Sequence, residues 1–154
     1  MSDSETADQI AALPMRWDKT GKLRVLMVTS RDTGRWVIPK GWLMDGKKPW
    51  HAAEIEAQEE AGAVGAISKR PIGQFFYDKR FEGRSSVRCR VTLYPLVVEK
   101  LKRRWKEEGE RTRHWFSPAK AAKLVEEKDL SQLLKNLTDN HEVKSVVKKL
   151  RKAA

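Results

Sequence analysis

The sequence predicts an α/β (α+β) sandwich because stretches with strand periodicity and a stretch with helix signals interleave along the chain. LRVLMVTS, residues 23–30, is an apolar run rich in Val and Leu, which is typical of a buried strand. SSVRCRVTLYPLVVEKL, residues 85–101, alternates apolar and polar side chains. Between these two stretches, Pro49 suits a first helical position and Gly62 suits the residue after a helix end, so we expect a helix over 49–61. Strands interleaved with helices favour layered packing.

The other elements follow from local signals in chain order. IAALPMRW forms the first element, RDTGRWVIP a turn and a short strand, and the stretch from Pro39 to Gly46 a loop. Residues 71–81 alternate like a strand and are joined to 85–101 by the EGR turn, while Pro95 indicates an edge position or a bulge. A charged loop over 102–115 precedes a helix that starts at Ser117 and Pro118, and two further helical stripes follow in 130–137 and 143–150.

Length and hydropathy predict one domain in a reducing compartment. The 154 residues divide into a disordered tail at 1–9, a domain at 10–140 and a basic amphipathic C-terminal helix at 141–154 that packs on the same domain. The single cysteine, Cys89, has no partner for an internal disulfide and suits a buried strand. The polar N-terminus does not resemble a signal peptide, and no apolar run approaches the ~20 residues of a membrane span. We therefore predict a cytoplasmic protein without a membrane partner.

The formal net charge of +11 bears on the partners of the protein. A positive field attracts phosphorylated ligands, nucleic acids and anionic membranes alike. The charge alone does not choose among these classes.

EIEAQEEAG, residues 54–62, is an acidic stretch in this basic chain. On a helix, Glu56, Glu59 and Glu60 share one side, next to a stripe of alanines that lets the helix sit close to a sheet. Like charges at i, i+4 destabilise an isolated helix, and no Lys or Arg within 52–62 relieves them. A hard divalent cation such as Mg²⁺ would neutralise the carboxylates, whereas a solvated acidic face is the alternative.

The segment GWLMDGKKPWHAAEIEAQEEAGA resembles the Nudix box, G-x5-E-x7-R-E-U-x-E-E-x-G-U, in which U is a bulky apolar residue. Gly41, Glu56, Glu59, Glu60 and Gly62 fall in register without an insertion. The departures from the pattern are Lys47 in place of the first glutamate, Ile55 in place of the arginine, and alanines at the apolar positions 57 and 63. In the family that glutamate and arginine are largely structural, while the metal-binding glutamates are retained here.

The segments TSRDTGRWVIPKG and WKEEGERTRHWFSPAKAAKLV also resemble the diphosphoinositol polyphosphate phosphohydrolase branch. The resemblance covers roughly residues 10–135. It implies a Nudix-type α/β/α sandwich with a mixed β-sheet and the Nudix-box loop and helix. It also implies a pyrophosphohydrolase of acid anhydrides, acting on diphosphoinositol polyphosphates or dinucleoside polyphosphates.

Hydrolysis of a P–O–P anhydride requires charge neutralisation, water activation and alignment, and metal ions on one helix face supply all three. The resemblance implies Mg²⁺, with Mn²⁺ as an alternative, held by Glu56 and Glu60 as principal ligands and by the Gly41 carbonyl. Glu59 is then a further ligand or the group that takes the proton of the water. For an additional general base the sequence leaves several glutamates open: Glu82, Glu99, Glu107, Glu108 and Glu110.

A polyanionic substrate also needs cations, and arginine binds phosphate with two parallel hydrogen bonds. By position in the matching segments we expect Arg31, Arg35, Lys40, Arg111 and Arg113 to bind substrate. Strand alternation in 85–101 adds Arg88 and Arg90 on one basic face.

Two hypotheses follow from the sequence. The favoured one is a Mg²⁺-dependent hydrolase of a polyphosphorylated small molecule, present as a monomer or homodimer. The alternative, suggested by Lys47 and Ile55, is a Nudix-fold module that binds phosphate ligands or RNA with little or no turnover. Nucleic acid is the less favoured partner, and its binding would weaken steeply with salt.

Overall fold

The computed structural model describes residues 6–81, 83, 85–139 and 141–153. The strands are β1 Ala7–Trp17, β2 Leu23–Thr29, β3 Trp36–Val37, β4 Lys40–Trp42, β5 Ala63–Ile67, β6 Gly73–Lys79, β7 Val87–Leu101 and β8 Arg113–Phe116. The helices are α1 Pro49–Ala61, α2 Pro118–Leu124, α3 Lys128–Lys135 and α4 His141–Ala153.

The strands form one mixed sheet with helices on both faces. Its central path runs β3-β2-β1-β7-β5, with β4 paired to β1, β6 to β7 and β8 to β2. The pairing of β1 with β7 is parallel, and the other pairings are antiparallel. The predicted α/β/α sandwich with a mixed sheet is therefore confirmed.

Two apolar cores lie on opposite faces of the sheet. One face contributes Val91 and Leu93 of β7 to a core that also contains Leu130, Leu134 and Leu137 from α3 and the residues after it. The other face contributes Tyr94 and Leu96 to a core with four alanines of α1, Ala52, Ala53, Ala57 and Ala61. Successive side chains of a strand point to opposite faces, so the alternation in β7 supplies both cores.

Helix α1 has the bounds that the sequence predicts. Pro49 occupies the first turn, and the helix ends at Gly62, which has a left-handed φ of 63° and donates its N–H to the carbonyls of Ala57 and Gln58. A residue without Cβ adopts this conformation at the least cost. The fully buried alanines show that α1 packs closely on the sheet.

The sequence predicts an edge position or a bulge at Pro95, but β7 has neighbours on both sides and its register shift against β5 lies at Val64/Gly65. Pro95 pairs with Leu13 of β1. On the other side, the pairing of β7 with β6 stops at Leu93, opposite Gly73, and its pairing with β5 begins at Leu96, opposite Ile67. Pro95 thus falls in the gap between two neighbouring strands, where its missing N–H removes no ladder bond. Its carbonyl still accepts a hydrogen bond from Ser68 N–H at 3.0 Å.

Some element boundaries also differ from the prediction. Strand β1 starts at Ala7 inside the predicted tail, because Ala7 and its successors pair with β7. Three strands were predicted as loops or not predicted: β4, β5 and β8. Of the predicted EGR turn only Gly83 is described, so the hairpin prediction lies largely outside the described residues. Cys89 is buried and free, as expected.

The C-terminal helix α4 packs on the same domain. Val143 and Val147 are buried in the core that α3 covers, and the Arg151 guanidinium lies 4.2 Å from the ring centroid of Trp17. No helix among the described residues is long and apolar enough to cross a membrane.

We predict that Gly62→Ala destabilises the protein more than Gly46→Ala. Both glycines have a left-handed φ, 63° and 73°, but a Cβ at Gly62 would lie 2.8 Å from Arg113 Nη1 and 3.0 Å from the Trp105 ring, whereas Gly46 has open space. Gly46→Ala should therefore cost about 1 kcal/mol from backbone strain alone. Gly62→Ala should cost about 1 to 3 kcal/mol more from overpacking. Urea unfolding compares the two variants, and equal losses would contradict the packing described around Gly62.

Candidate active site

Helix α1 places three carboxylates near strand β4. Glu56 lies against Gly41, so closely that a methyl group on Gly41 would overlap the Glu56 carboxylate. The carboxyl groups of Glu56 and Glu60 lie close enough to influence each other's pKa, and Glu59 lies on the more exposed side of the helix. Together with Glu107, described below, these side chains form the acidic cluster.

Burial disfavours the charged form of the acidic cluster. Glu60 is only 7% exposed. Burial raises the pKa of Glu60 to about 8, with Arg111 opposing the shift and Glu56 adding to it. The pKa of Glu56 is raised as well, first by burial. An excess of buried carboxylates is therefore built into this end of α1.

Glu107 joins the cluster from the segment between β7 and β8. Arg111 Nε donates to Glu107 Oε1 at 2.7 Å, and Arg111 Nη2 lies 3.8 Å from Glu60 Oε1. Arg111 Nη1 donates to the Thr29 carbonyl at 3.0 Å, so the guanidinium is fixed from three sides. The side chain of Arg111 is 9% exposed and that of Glu107 is 13% exposed. The ion pairs are thus largely shielded from water. Electrostatic interactions are stronger in such shielded surroundings than in water.

The segment over 102–113 is tied to the C-terminal end of α1 and its Gly62 cap. The last carbonyls of a helix have no partner within the helix. Here each of four successive carbonyls accepts a hydrogen bond: Glu59 from Glu107 N, Glu60 from Trp105 Nε1, Ala61 from Arg113 Nη1 and Gly62 from Lys102 N, at 3.0, 3.1, 2.8 and 2.8 Å. The Arg113 guanidinium also lies 3.8 Å from the ring centroid of Trp105. These contacts determine where Glu107 and Arg111 lie.

More exposed cations surround the acidic cluster. Lys106 Nζ is 3.6 Å from Glu59 Oε2. Arg31 Nη1 is 3.3 Å from Glu110 Oε1 and 4.0 Å from Glu107 Oε1, and its side chain is 53% exposed. Exposed ion pairs contribute little stability, so these cations can exchange partners at low cost.

A second polar group, the Lys40 cluster, lies on the other face of the sheet and consists of Gln9, Arg35, Lys40 and Tyr77. Lys40 and Gly41 are neighbours in β4 and point to opposite faces. Lys40 Nζ lies 4.7 Å from the Tyr77 ring centroid, and the Tyr77 hydroxyl donates to Gln9 Oε1 at 2.6 Å. Burial lowers the pKa of Lys40.

Arg35 is assigned to the same cluster because its positive charge contributes to the lowered pKa of Lys40, after the larger effect of burial. Its Nη2 donates to Glu127 Oε2 at 3.2 Å, and its Nε lies 3.5 Å from Glu126 Oε2. The remaining nitrogen, Nη1, is buried without a hydrogen-bond partner among the described residues. An unpaired guanidinium nitrogen is costly to bury, so it is a donor available to an anionic ligand.

The structure divides the predicted site residues into groups. Gly41, Glu56, Glu59, Glu60, Arg31 and Arg111 come together at the acidic cluster, and Arg35 and Lys40 lie in the Lys40 cluster. Arg113 holds the end of α1. By the strand register, Arg88 and Arg90 lie on the face opposite Lys40, where they pair with Asp78 at 3.4 Å and Asp8 at 2.9 Å.

Of the glutamates that the sequence leaves open as general base, Glu107 is the one that the described structure brings into the acidic cluster. Glu99 and Glu108 are exposed, Glu110 pairs with Arg31, and Glu82 lies outside the described residues. Sequence reasoning missed Lys106, Gln9 and Tyr77. Gln9 carried a signal, because it is a polar residue that directly precedes the apolar run of β1.

The acidic cluster fits a hard divalent cation in its chemistry. Carboxylate oxygens are the preferred ligands of Mg²⁺, which usually takes one or two protein carboxylates and completes its shell with water and substrate phosphates. Within the described residues, no three or more His, Cys, Asp or Glu side chains form a ready cage for a metal ion. A shared Mg²⁺ does not need such a cage, and the raised pKa values of Glu56 and Glu60 show carboxylates that gain from a cation.

The geometry is that of an α/β/α protein with a carboxylate cluster on a helix that follows a short strand and loop. The NUDIX domain model matches residues 8–137, so the chain belongs to this family. The chain is 31% identical over 115 residues to Nudix hydrolase 13, mitochondrial, of Arabidopsis thaliana, covering 70% of this chain and 55% of that protein. It is 31% identical over 104 residues to human diphosphoinositol polyphosphate phosphohydrolase 3-alpha, covering 66% and 59%.

A solved structure confirms the fold. The C. elegans Ap4A hydrolase binary complex superposes with a TM-score of 0.65 at 21% identity, over 86% of this chain and 95% of that one. The chain spans between half and two thirds of the length of the two curated relatives just described, 55% and 59%.

We predict that the metal-free protein loses stability between about pH 5 and 8 because of Glu60. Its pKa is about 8 in the folded protein and ordinarily 4.5, so folding retains a proton that the unfolded chain releases. The stabilisation is complete below pH 4.5 and is lost as the pH rises through about 8. Urea unfolding in EDTA should show that the free energy of unfolding of wild type falls relative to that of Glu60→Gln as the pH rises across this window.

Glu54→Gln is the matched control for this measurement. Glu54 is on the same helix but lies 2.9 Å from His51 Nδ1, outside the acidic cluster. It should follow the wild-type pH profile. Parallel profiles for wild type and Glu60→Gln would show that Glu60 does not retain the proton.

Proposed function

We propose that the protein hydrolyses a phosphoanhydride bond in a highly phosphorylated small molecule, with Mg²⁺ as the cofactor. The observation that carries the proposal is the acidic cluster itself, in which Glu56, Glu60 and Glu107 are held close together with Arg111 as their buried countercharge. A fold gains nothing from crowding buried carboxylates, since burying charge is costly. Such clusters occur where chemistry requires them.

Each carboxylate has a separate role in the proposed reaction. Glu56, Glu60 and Glu107 would supply ligand oxygens for the cation, together with the Gly41 carbonyl. A bound divalent cation supplies charge neutralisation and lowers the pKa of a bound water. Glu59, whose side chain is 35% exposed and pairs only loosely with Lys106, takes the proton of the attacking water. Arg111 positions Glu60 and Glu107.

The substrate extends across strand β4 in this proposal. Gly41 faces the acidic cluster and Lys40 faces the other side, so a ligand that passes over this strand meets both groups. Arg31 beside the acidic cluster, and Lys40 with the free nitrogen of Arg35, then bind phosphates that are not cleaved. Phosphate sites on two faces favour a long polyphosphate, such as a diphosphoinositol polyphosphate or a dinucleoside polyphosphate. The similarity to human diphosphoinositol polyphosphate phosphohydrolase 3-alpha, and the shared fold of the C. elegans Ap4A hydrolase, support this class.

A second candidate is a phosphate-binding or RNA-binding module with little turnover. It is favoured by cations of the chain itself, because Arg111 lies beside Glu60 and the exposed Lys106 lies beside Glu59. Lys47 and Ile55, which replace the box glutamate and arginine, favour it too.

The cytoplasmic location and the monomeric or homodimeric state stay predictions.

We predict metal-dependent product release by wild type that is lost in Glu60→Gln and Glu59→Gln and retained in Glu54→Gln. Loss of a proton acceptor lowers the rate by about 10²-fold to 10⁴-fold, so Glu59→Gln should lower kcat by that amount while metal affinity changes little. The panel contains diphosphoinositol pentakisphosphate, diadenosine penta- and hexaphosphate, ADP-ribose, a deoxynucleoside triphosphate and capped RNA, each with Mg²⁺ and with Mn²⁺. Ligand binding without any turnover by wild type would establish the module instead.

We also predict that Lys40→Met raises KM with little change in kcat. Loss of a ground-state phosphate contact weakens substrate and transition state alike, which leaves kcat unchanged. Arg88→Gln is the comparison on the opposite face, where Arg88 is 57% exposed and paired with Asp78. We expect its KM to stay within about twofold of wild type, as is usual for an exposed ion pair. An equal rise of KM in both variants would contradict a specific role of Lys40 in binding phosphate.

A further inference from the structure

A groove lies at the end of strand β1 that is remote from the acidic cluster. It has a volume of about 550 Å³ and is formed by the β1–β2 turn, the start of α2, the residues after α3, and α4. Gly41, beside the acidic cluster, pairs with Ile10, whereas Trp17 in the groove lies seven residues further along the same strand. At ~3.3 Å per residue the two places are about 23 Å apart. We call this cavity the basic groove.

The basic groove combines an apolar floor with a cationic rim. The apolar side chains that line it are Trp17, Leu23, Pro118, Leu137, Val143 and Val147. The cations that line it are Lys22, Arg24, Lys144, Lys148 and Arg151, and no Asp or Glu lines it among the described residues. The nearby acid, Asp18, pairs with Arg24 at 3.0 Å and accepts hydrogen bonds from the turn backbone. The other cations therefore face the groove without this countercharge.

Helix α4 explains how the basic side chains come to face a cavity. Lys144, Lys148 and Arg151 follow one another at i, i+4 and i+7, so they share one side of the helix. Val143 and Val147 are adjacent to them and buried in the core, which turns this side of α4 toward Trp17. Lys144, Lys148 and Arg151 are exposed and line one side of the groove.

We propose that the basic groove binds a small amphiphilic anion, an acyl chain or similar apolar body that ends in a carboxylate or phosphate. A volume near 550 Å³ lies in the range of small-molecule sites, about 300 to 1,000 Å³. The apolar floor receives the body of the ligand, and the rim pairs with its charged end. Few polar groups line the floor, which disfavours a nucleobase because its edges would lose their hydrogen bonds to water.

The test is calorimetric titration of the full chain with dodecanoate below its micelle-forming concentration. We expect one saturable site per chain. Dodecyltrimethylammonium has the same chain with the opposite charge, and acetate has the charge without the chain, so neither should saturate the protein. Comparable binding of either compound would overturn the proposal. Binding of dodecyltrimethylammonium would mean that the groove recognises only the apolar chain, and binding of acetate would mean that it recognises only the negative charge.

Charge-reversed variants locate the site. Lys144→Glu with Lys148→Glu should weaken dodecanoate binding by about tenfold or more, since two charge-assisted contacts are replaced by repulsion. Lys135→Glu with Lys149→Glu changes the net charge equally at exposed positions that do not line the groove, and it should bind as wild type does. Circular dichroism and melting confirm that both variants fold. Equal weakening in both would mean a general charge effect and overturn the site.

Two further measurements distinguish a lipid surface from a free ligand and test whether the groove binds independently of the acidic cluster. Binding to phosphatidate vesicles without binding to dodecanoate would assign the cations to a lipid surface and overturn the proposal of an enclosed ligand. Glu60→Gln should bind dodecanoate as wild type does, because the acidic cluster lies at the other end of β1. The result therefore stands or falls separately from the proposed hydrolase activity.

Discussion

The attachment of the segment over 102–113 to the end of helix α1 is the constraint on which the site depends. The carbonyls of residues 59–62 would have no partner at the end of the helix, and this segment satisfies them through Trp105, Glu107, Arg113 and Lys102. The same contacts place Glu107 and Arg111 against Glu60. The contacts that terminate α1 are therefore also the contacts that assemble the site. A change that breaks them would also move Glu107 and Arg111 away from Glu60.

The charge within the site is unbalanced in a way that stability alone does not explain. Arg111 is the largely buried cation, while Glu56, Glu60 and Glu107 are carboxylates in the same region. Burial raises the pKa of two of these groups, so part of the negative charge is suppressed by protons in the absence of a cation. Natural proteins break local rules of this kind at functional sites, and the free energy is supplied elsewhere. The two apolar cores on either side of the sheet are the source here.

The sequence predicts the parts that local chemistry determines. Helix α1 has clear start and stop residues in Pro49 and Gly62, and the first half of β7 alternates apolar and polar residues, so both elements were predicted close to their observed bounds. Strands β4, β5 and β8 are short or contain Gly and charged residues, and only pairing with distant partners makes them strands. The sequence could not single out Glu107 among the neighbouring glutamates for the same reason. Its position depends on a backbone hydrogen bond to Glu59, a residue that is distant in sequence.

The two departures from the Nudix box acquire a physical meaning in this structure. The resemblance assigns the box glutamate and arginine to the support of the loop against the helix, and here Lys47 is exposed while Ile55 is partly buried. The loop is instead closed by its own backbone, through Lys47 N–H to the Met44 carbonyl at 3.1 Å, and Gly41 packs directly on Glu56. The helix is fixed from its other end by Trp105 and Arg113. The described contacts that hold Glu56 and Glu60 in place therefore come from Gly41 and from the end of the helix.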